Sequence, residues 1–160
     1  MKKIFLFALI LCSCSLFAFE TNYPEIMNNG TIFINAGVGF AKEIIHTRKC
    51  PPLTVSMDAA IPVAGLPFTF GLITGYFSEG DNINCMPIAA RIAYHHNFTV
   101  RNLDTYAVLT LGGIAGLPKE PFWIGLSAGA RYFFYKKIGA YAELGFDKAQ
   151  YITFGMSFKI

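Results

Sequence analysis

The last ten residues, YITFGMSFKI, alternate. Ile152, Phe154, Met156, Phe158 and Ile160 are large and apolar, and the residues between them are Tyr151, Thr153, Gly155, Ser157 and Lys159. Successive side chains of an extended chain point to opposite faces, so this pattern predicts a strand with one apolar side. The stretch 31–41 repeats it, with Ile32, Ile34, Ala36, Val38 and Phe40 set against Thr31, Phe33, Asn35, Gly37 and Gly39. The same test along the chain predicts eight strands, approximately 31–41, 53–61, 68–77, 87–97, 103–113, 122–134, 138–146 and 150–160.

Every charge within these segments falls on the small-residue face: Asp58, Arg91, Asp104, Arg131, Glu143 and Lys159. A soluble sandwich or barrel would carry its charges on the opposite side from its large apolar residues and turn the apolar side inward. Here the apolar face is the one suited to lipid. Strands of about 9–11 residues cross a bilayer when tilted, an even number is the rule for bacterial single-chain barrels, and lipid forces the sheet to close. The expected fold is therefore all-β, an eight-stranded antiparallel up-and-down transmembrane β-barrel over residues 31–160. Connections alternate between short (62–67, 98–102, 135–137) and longer, more polar ones (42–52, 78–86, 114–121). Short turns belong on the periplasmic side and longer loops outside.

Composition agrees. The chain has 160 residues, 54% hydrophobic and 14% charged, with a mean hydropathy of +0.44. Average soluble domains carry roughly 25% charge, and disordered chains are poor in aromatics, which make up 16% here. A helical membrane protein is a poor alternative. The charge-free stretch 59–78 contains Pro62, Pro67, Gly65, Gly71 and Gly75, and each interior proline costs a helix about 3 kcal/mol. The net charge of +3 falls to +1 without Lys2 and Lys3, so no nucleic-acid footprint is left.

Those two lysines open the stretch MKKIFLFALILCSCSLFAFE, with an uncharged apolar run and Ala18 near its end. This is the pattern of a secretory signal, too short to span a bilayer comfortably. Residues 1–19 are expected to be a cleaved signal peptide and 20–30 a periplasmic N-terminal segment. An alternative cut is offered by Leu11-Cys12-Ser13-Cys14, a relaxed lipobox with Cys14 as the lipidated residue.

An eight-stranded barrel is just wide enough for side chains to fill it. The six charged residues should form a luminal Arg–carboxylate network, because buried charges must be paired. That network reads either as a closed plug or as a narrow pore, whose lining would include Phe33, Ile73, Val108 and Phe133. Cys50 and Cys85 fall in long loops on the same expected side, and in an oxidising envelope they should pair as a disulfide. His46, Ser78 and Asp81 offer a base, a nucleophile and an orienting acid in the outer loops, but in no motif. His95 and His96 face opposite sides of one strand and cannot share a metal. No catalytic, cofactor or metal site is expected, and the protein reads as non-enzymatic.

Three segments close the chain: Ser127-Ala-Gly-Ala-Arg131-Tyr-Phe-Phe134, Ile138-Gly-Ala-Tyr-Ala-Glu143-Leu-Gly-Phe146 and Gly155-Met-Ser-Phe-Lys-Ile160. Their order resembles the last three strands of the small eight-stranded outer-membrane barrels, the group holding outer membrane protein A, the opacity proteins and the OmpW/OprG family. The resemblance implies the outer membrane of a Gram-negative-type envelope, with outer-membrane lipid and the barrel assembly machinery as partners and loops open to host or surface ligands. Its OmpW/OprG branch implies a conduit for small hydrophobic solutes. Other small barrels modify lipid A, which is the enzymatic alternative.

Overall fold

The computed structural model describes residues 27–40, 50–79, 83–96, 98, 100–116, 121–147 and 152–160. The expected signal peptide with Cys14, most of the segment 20–30, and the loop residues His46 and Asp81 lie outside the described residues. Eight strands follow in chain order: β1 (Ile32–Phe40), β2 (Cys50–Ala60), β3 (Phe68–Glu79), β4 (Ile83–His96), β5 (Leu103–Ala115), β6 (Phe122–Phe133), β7 (Ile138–Asp147) and β8 (Ile152–Lys159). Each pairs antiparallel with the next, and β1 pairs with β8, so the sheet closes into a barrel. The closing seam runs from Phe33 opposite Lys159 to Phe40 opposite Ile152. Closure leaves no strand edge with unpaired backbone groups.

The wall has the polarity that the alternation requires. Met57, Leu72, Leu126 and Leu144 point outward and are 52%, 60%, 53% and 61% exposed, whereas Asp58, Arg91, Asp104 and Arg131 point inward and are at most 3% exposed. A barrel dissolved in water would strand that outer face against its solvent; a wall that faces hydrocarbon places it correctly. Aromatic pairs cluster toward strand ends, among them Phe68 edge-on to Tyr94 and Phe40 stacked with Phe154, as interfacial girdles do.

The strands outrun their expected ends on one side only. The region 78–86, expected as a long loop, is mostly strand, since β3 continues to Glu79 and β4 begins at Ile83. β2 likewise begins at Cys50, and β5 continues to Ala115. Apolar alternation fades there because a ladder that has risen past the bilayer no longer needs an apolar exterior. Its inward face stays apolar, with Phe77, Cys85 and Ile114 buried. At the opposite end the turns are tight. Ala64 and Gly65 both have positive φ (52° and 78°), between Val63 and Leu66, which bridge each other; that is the backbone of a two-residue hairpin turn.

Candidate functional site

The lumen is filled in layers, and β4 alone gives their order. From its long-loop end inward, Cys85, Ala89, Arg91, Ala93 and His95 point into the barrel and are buried. The layer nearest the long loops is apolar: Ile73, Phe77, Cys85, Ala89, Ile114 and Trp123 form one buried cluster. The layer nearest the short turns is apolar too, built from Met27, Phe33, Ala60 and Phe133. Between them lie the ion pairs.

Arg91 holds the centre. Its Nη2 is 2.7 Å from Glu143 Oε1 and its Nη1 3.3 Å from Oε2, while its Nε lies 3.2 Å from Asp58 Oδ1. Asn35 Nδ2 donates to Asp58 Oδ2 at 3.2 Å and to Ser56 Oγ at 2.9 Å. The Tyr106 hydroxyl donates to Glu143 Oε1 at 2.9 Å. Two acids thus share one guanidinium, and Asn35 and Tyr106 each add a neutral donor. The contact of Arg91 Nε with Asp58 Oδ1 is an ion pair without hydrogen-bond geometry.

One step toward the short turns lies a second group. Asp104 Oδ2 is 2.9 Å from Arg131 Nε, and its Oδ1 is 2.8 Å from His95 Nδ1. His95 Nε2 is 3.0 Å from Thr69 Oγ1. An ionised Asp104 has no proton to give, so Nδ1–H donates to it; in the neutral ring Nε2 accepts from the Thr69 hydroxyl. The Arg131 guanidinium lies between two rings, 4.1 Å from the Phe33 centroid and 4.4 Å from that of Tyr106. Cation–π attraction strengthens in such a desolvated setting.

Tyr106 joins the two groups. Its hydroxyl serves Glu143 while its ring faces Arg131 and lies 5.4 Å from His95. Glycine makes room for it. A Cβ on Gly129, the partner of Tyr106 in the β5–β6 register, would come within 2.5 Å of two ring carbons. Tyr141 is bedded in the same way: it pairs with Gly155, and its hydroxyl reaches across to Gly37 and hydrogen-bonds Thr54. Small luminal residues leave the volume that these large ones fill.

Of the six luminal charges, Asp58, Arg91, Asp104, Arg131 and Glu143 form ion pairs. Lys159 sits at the short-turn end with its Nζ 5.4 Å from the Phe133 centroid. Of the four apolar lining residues expected for a pore, Phe33 and Phe133 belong to one closing layer and Ile73 to the other; Val108 packs with Ala93 and Tyr106. Charge counting missed Asn35, Thr69, His95 and Tyr106 as members of the network. The period-two alternation carried the signal, because Tyr106 shares a face with Asp104, and His95 with Arg91.

The Cys50–Cys85 disulfide is a correction. Neither residue lies in a loop: Cys50 starts β2 opposite Ser78, and Ser78 in turn lies opposite Asn84. Strand β3 stands between the two cysteines, a separation of roughly 10 Å at two strand spacings, and a bridge needs Cα atoms within about 7 Å. Cys85 is a buried thiol rather than half of a disulfide.

Ser78 of the expected loop triad lies on β3. A Thr69–His95–Asp104 arrangement does exist in the lumen, and its members are 1%, 0% and 0% exposed. Among the described residues no group of three or more His, Cys, Asp and Glu converges on a metal position. On the outer wall, Ala36, Val38, Leu53, Thr74, Tyr76 and Met86 border a groove of about 550 Å³.

No family model matches the chain, and no curated protein does. Among solved structures, a barrel from a study of the de novo design of transmembrane beta-barrels is similar in fold. The TM-score is 0.52 at 16% identity, over 84% of this chain and 98% of that one. The likeness supports the eight-stranded closed barrel.

Proposed function

We propose that the protein is an integral, non-enzymatic barrel of a Gram-negative-type outer membrane, exported by a cleaved signal peptide, with a structural or surface-contact role. Its partners on this reading are outer-membrane lipid, the barrel assembly machinery that inserts it, and ligands met by the loops at the long-loop end. The observation that carries the proposal is the order of layers in the lumen: apolar, ion-paired, apolar. The ion pairs of Arg91 and Arg131 lie behind buried aromatic side chains at both ends, Phe77 and Trp123 at one and Phe33 and Phe133 at the other. The sequence resemblance to the outer membrane protein A, opacity and OmpW/OprG group supports the outer membrane as the location.

The test is uptake by liposomes carrying the refolded protein, comparing a small sugar with a small apolar solute. Background uptake of both is expected. Sugar uptake above background would overturn the closed barrel.

A second reading is passage of small apolar solutes through the lumen past Phe33, Ile73, Val108 and Phe133, all of which face inward. It predicts uptake of the apolar solute alone. The lipid A-modifying alternative predicts altered lipid A recovered from membranes containing the protein.

A further inference from the structure

The end of the barrel that carries the short turns has an uneven charge distribution. The turn 61–67 is uncharged, and Ile61 and Val63 are 50% and 45% exposed. The next two turns around the rim carry Arg101, Lys136 and Lys137, all exposed. No Asp or Glu side chain accompanies them among the described residues of this rim, because Asp104, the nearest acid, is fully buried in its own ion pairs.

The three cations form one surface. Phe133 N–H donates to the Asn102 carbonyl at 3.0 Å, which ties the turn bearing Arg101 to the end of β6. Lys159 N–H donates to the Lys137 carbonyl at 2.9 Å, which ties the next turn to β8. Interleaved with the cations are exposed aromatic and aliphatic side chains: Phe98, Val100, Phe134 and Tyr135. Phe134 and Tyr135 meet edge to face.

Aromatic side chains at the end of a membrane barrel settle at headgroup depth. Cations beside them then sit at the level of the lipid phosphates, their alkyl stems among the acyl chains. A cluster of positive charge attracts net-negative lipid over zwitterionic lipid.

We infer that this arc, Arg101, Lys136 and Lys137 framed by Phe98, Phe134 and Tyr135, is a binding site for anionic phospholipid headgroups of the leaflet at the short-turn end. The inference rests on the membrane reading above. Charge complementarity selects the headgroup, and the continuity of the aromatic rim with the apolar wall sets the depth at which it binds. The uncharged turn 61–67 makes the preference one-sided, so the barrel holds anionic lipid along one arc of its perimeter.

The test uses the chain refolded into phosphatidylcholine vesicles containing a minor fraction of phosphatidylglycerol. The barrel is released into mild detergent, and its retained lipids are counted by native mass spectrometry. Phosphatidylglycerol is expected at about fivefold its bulk ratio, the enrichment that one interfacial cation's attraction supplies. The variant Arg101→Gln, Lys136→Gln, Lys137→Gln should fall to the bulk ratio, while Arg101→Lys with both lysines changed to Arg should keep the enrichment. A heat-dependent gel-mobility shift reports barrel closure for each variant. Loss of that shift in the unaltered chain would count against the barrel reading itself. A normal shift with lipid at the bulk ratio would overturn the site alone, as would enrichment that survives the Gln variant. A dimer that excludes lipid and is lost in the Gln variant would show that this arc binds a second copy instead.

Discussion

Arg91 on β4 and Glu143 on β7 grip each other at two points across the lumen, 2.7 Å and 3.3 Å apart, over 52 positions of sequence. The contact spans the barrel and is not a ladder pair. Asp58 and Tyr106 attach to the same two residues, so β2, β4, β5 and β7 meet at one point. With Asn35, Thr69 and Arg131 added, and with Thr153 and Ser157 of β8 also buried, the polar core draws on all eight strands.

Removing one partner strands the other charge in the interior. Arg91→Ala leaves both Asp58 and Glu143 unpaired and should destabilise the barrel by about 3–5 kcal/mol, read as a lowered urea midpoint in vesicles. Sugar uptake should stay at background, because both apolar layers remain. A midpoint equal to that of the unaltered chain would mean the ion pairs contribute nothing to stability.

The bedding of Tyr106 on Gly129 predicts a steric penalty that depends on the tyrosine. Gly129→Ala should cost about 1–3 kcal/mol, the range for overpacking a filled core. In a Tyr106→Ala background the same change should cost much less, and a double-mutant cycle measures the difference. Equal penalties in both backgrounds would dissociate the glycine from the ring.

On the outer face, Leu126→Arg should cost about 2–4 kcal/mol in a bilayer, the figure for a cation near the midplane of a barrel wall. Urea titrations in vesicles read the loss directly. If Leu126→Arg unfolds at the same urea concentration as the original, that face does not meet hydrocarbon.

Cys85 is fully buried in the layer with Trp123 and Phe77. It should resist maleimide labelling in the folded barrel and label after denaturation without any reductant. Labelling that needs reductant would restore a disulfide.

How much of this could be read in the chain is best seen strand by strand. The period-two pattern is a local property: Ile92 and Arg91 must point to opposite sides whatever the rest of the molecule does. The identity of the strands, their inward and outward faces and the burial of Asp58, Arg91, Asp104, Arg131 and Glu143 follow from it. So does the closure of the sheet, since lipid tolerates no open edge. Strand ends were less legible where the ladders rise past the apolar belt, as between Ser78 and Met86. There the exterior pattern changes while hydrogen bonding continues.

Which inward residues meet is another matter. Arg91 could be drawn to any of three acids by charge alone, and only the stagger of the strands sets it against Asp58 and Glu143 and leaves Asp104 to Arg131 and His95. The same stagger puts β3 between Cys50 and Cys85, and lays Tyr141 across Gly155 and Gly37. Alternation states which way a side chain points. Contacts across a closed barrel depend on the register of all eight strands together, and that is settled only when the sheet has closed.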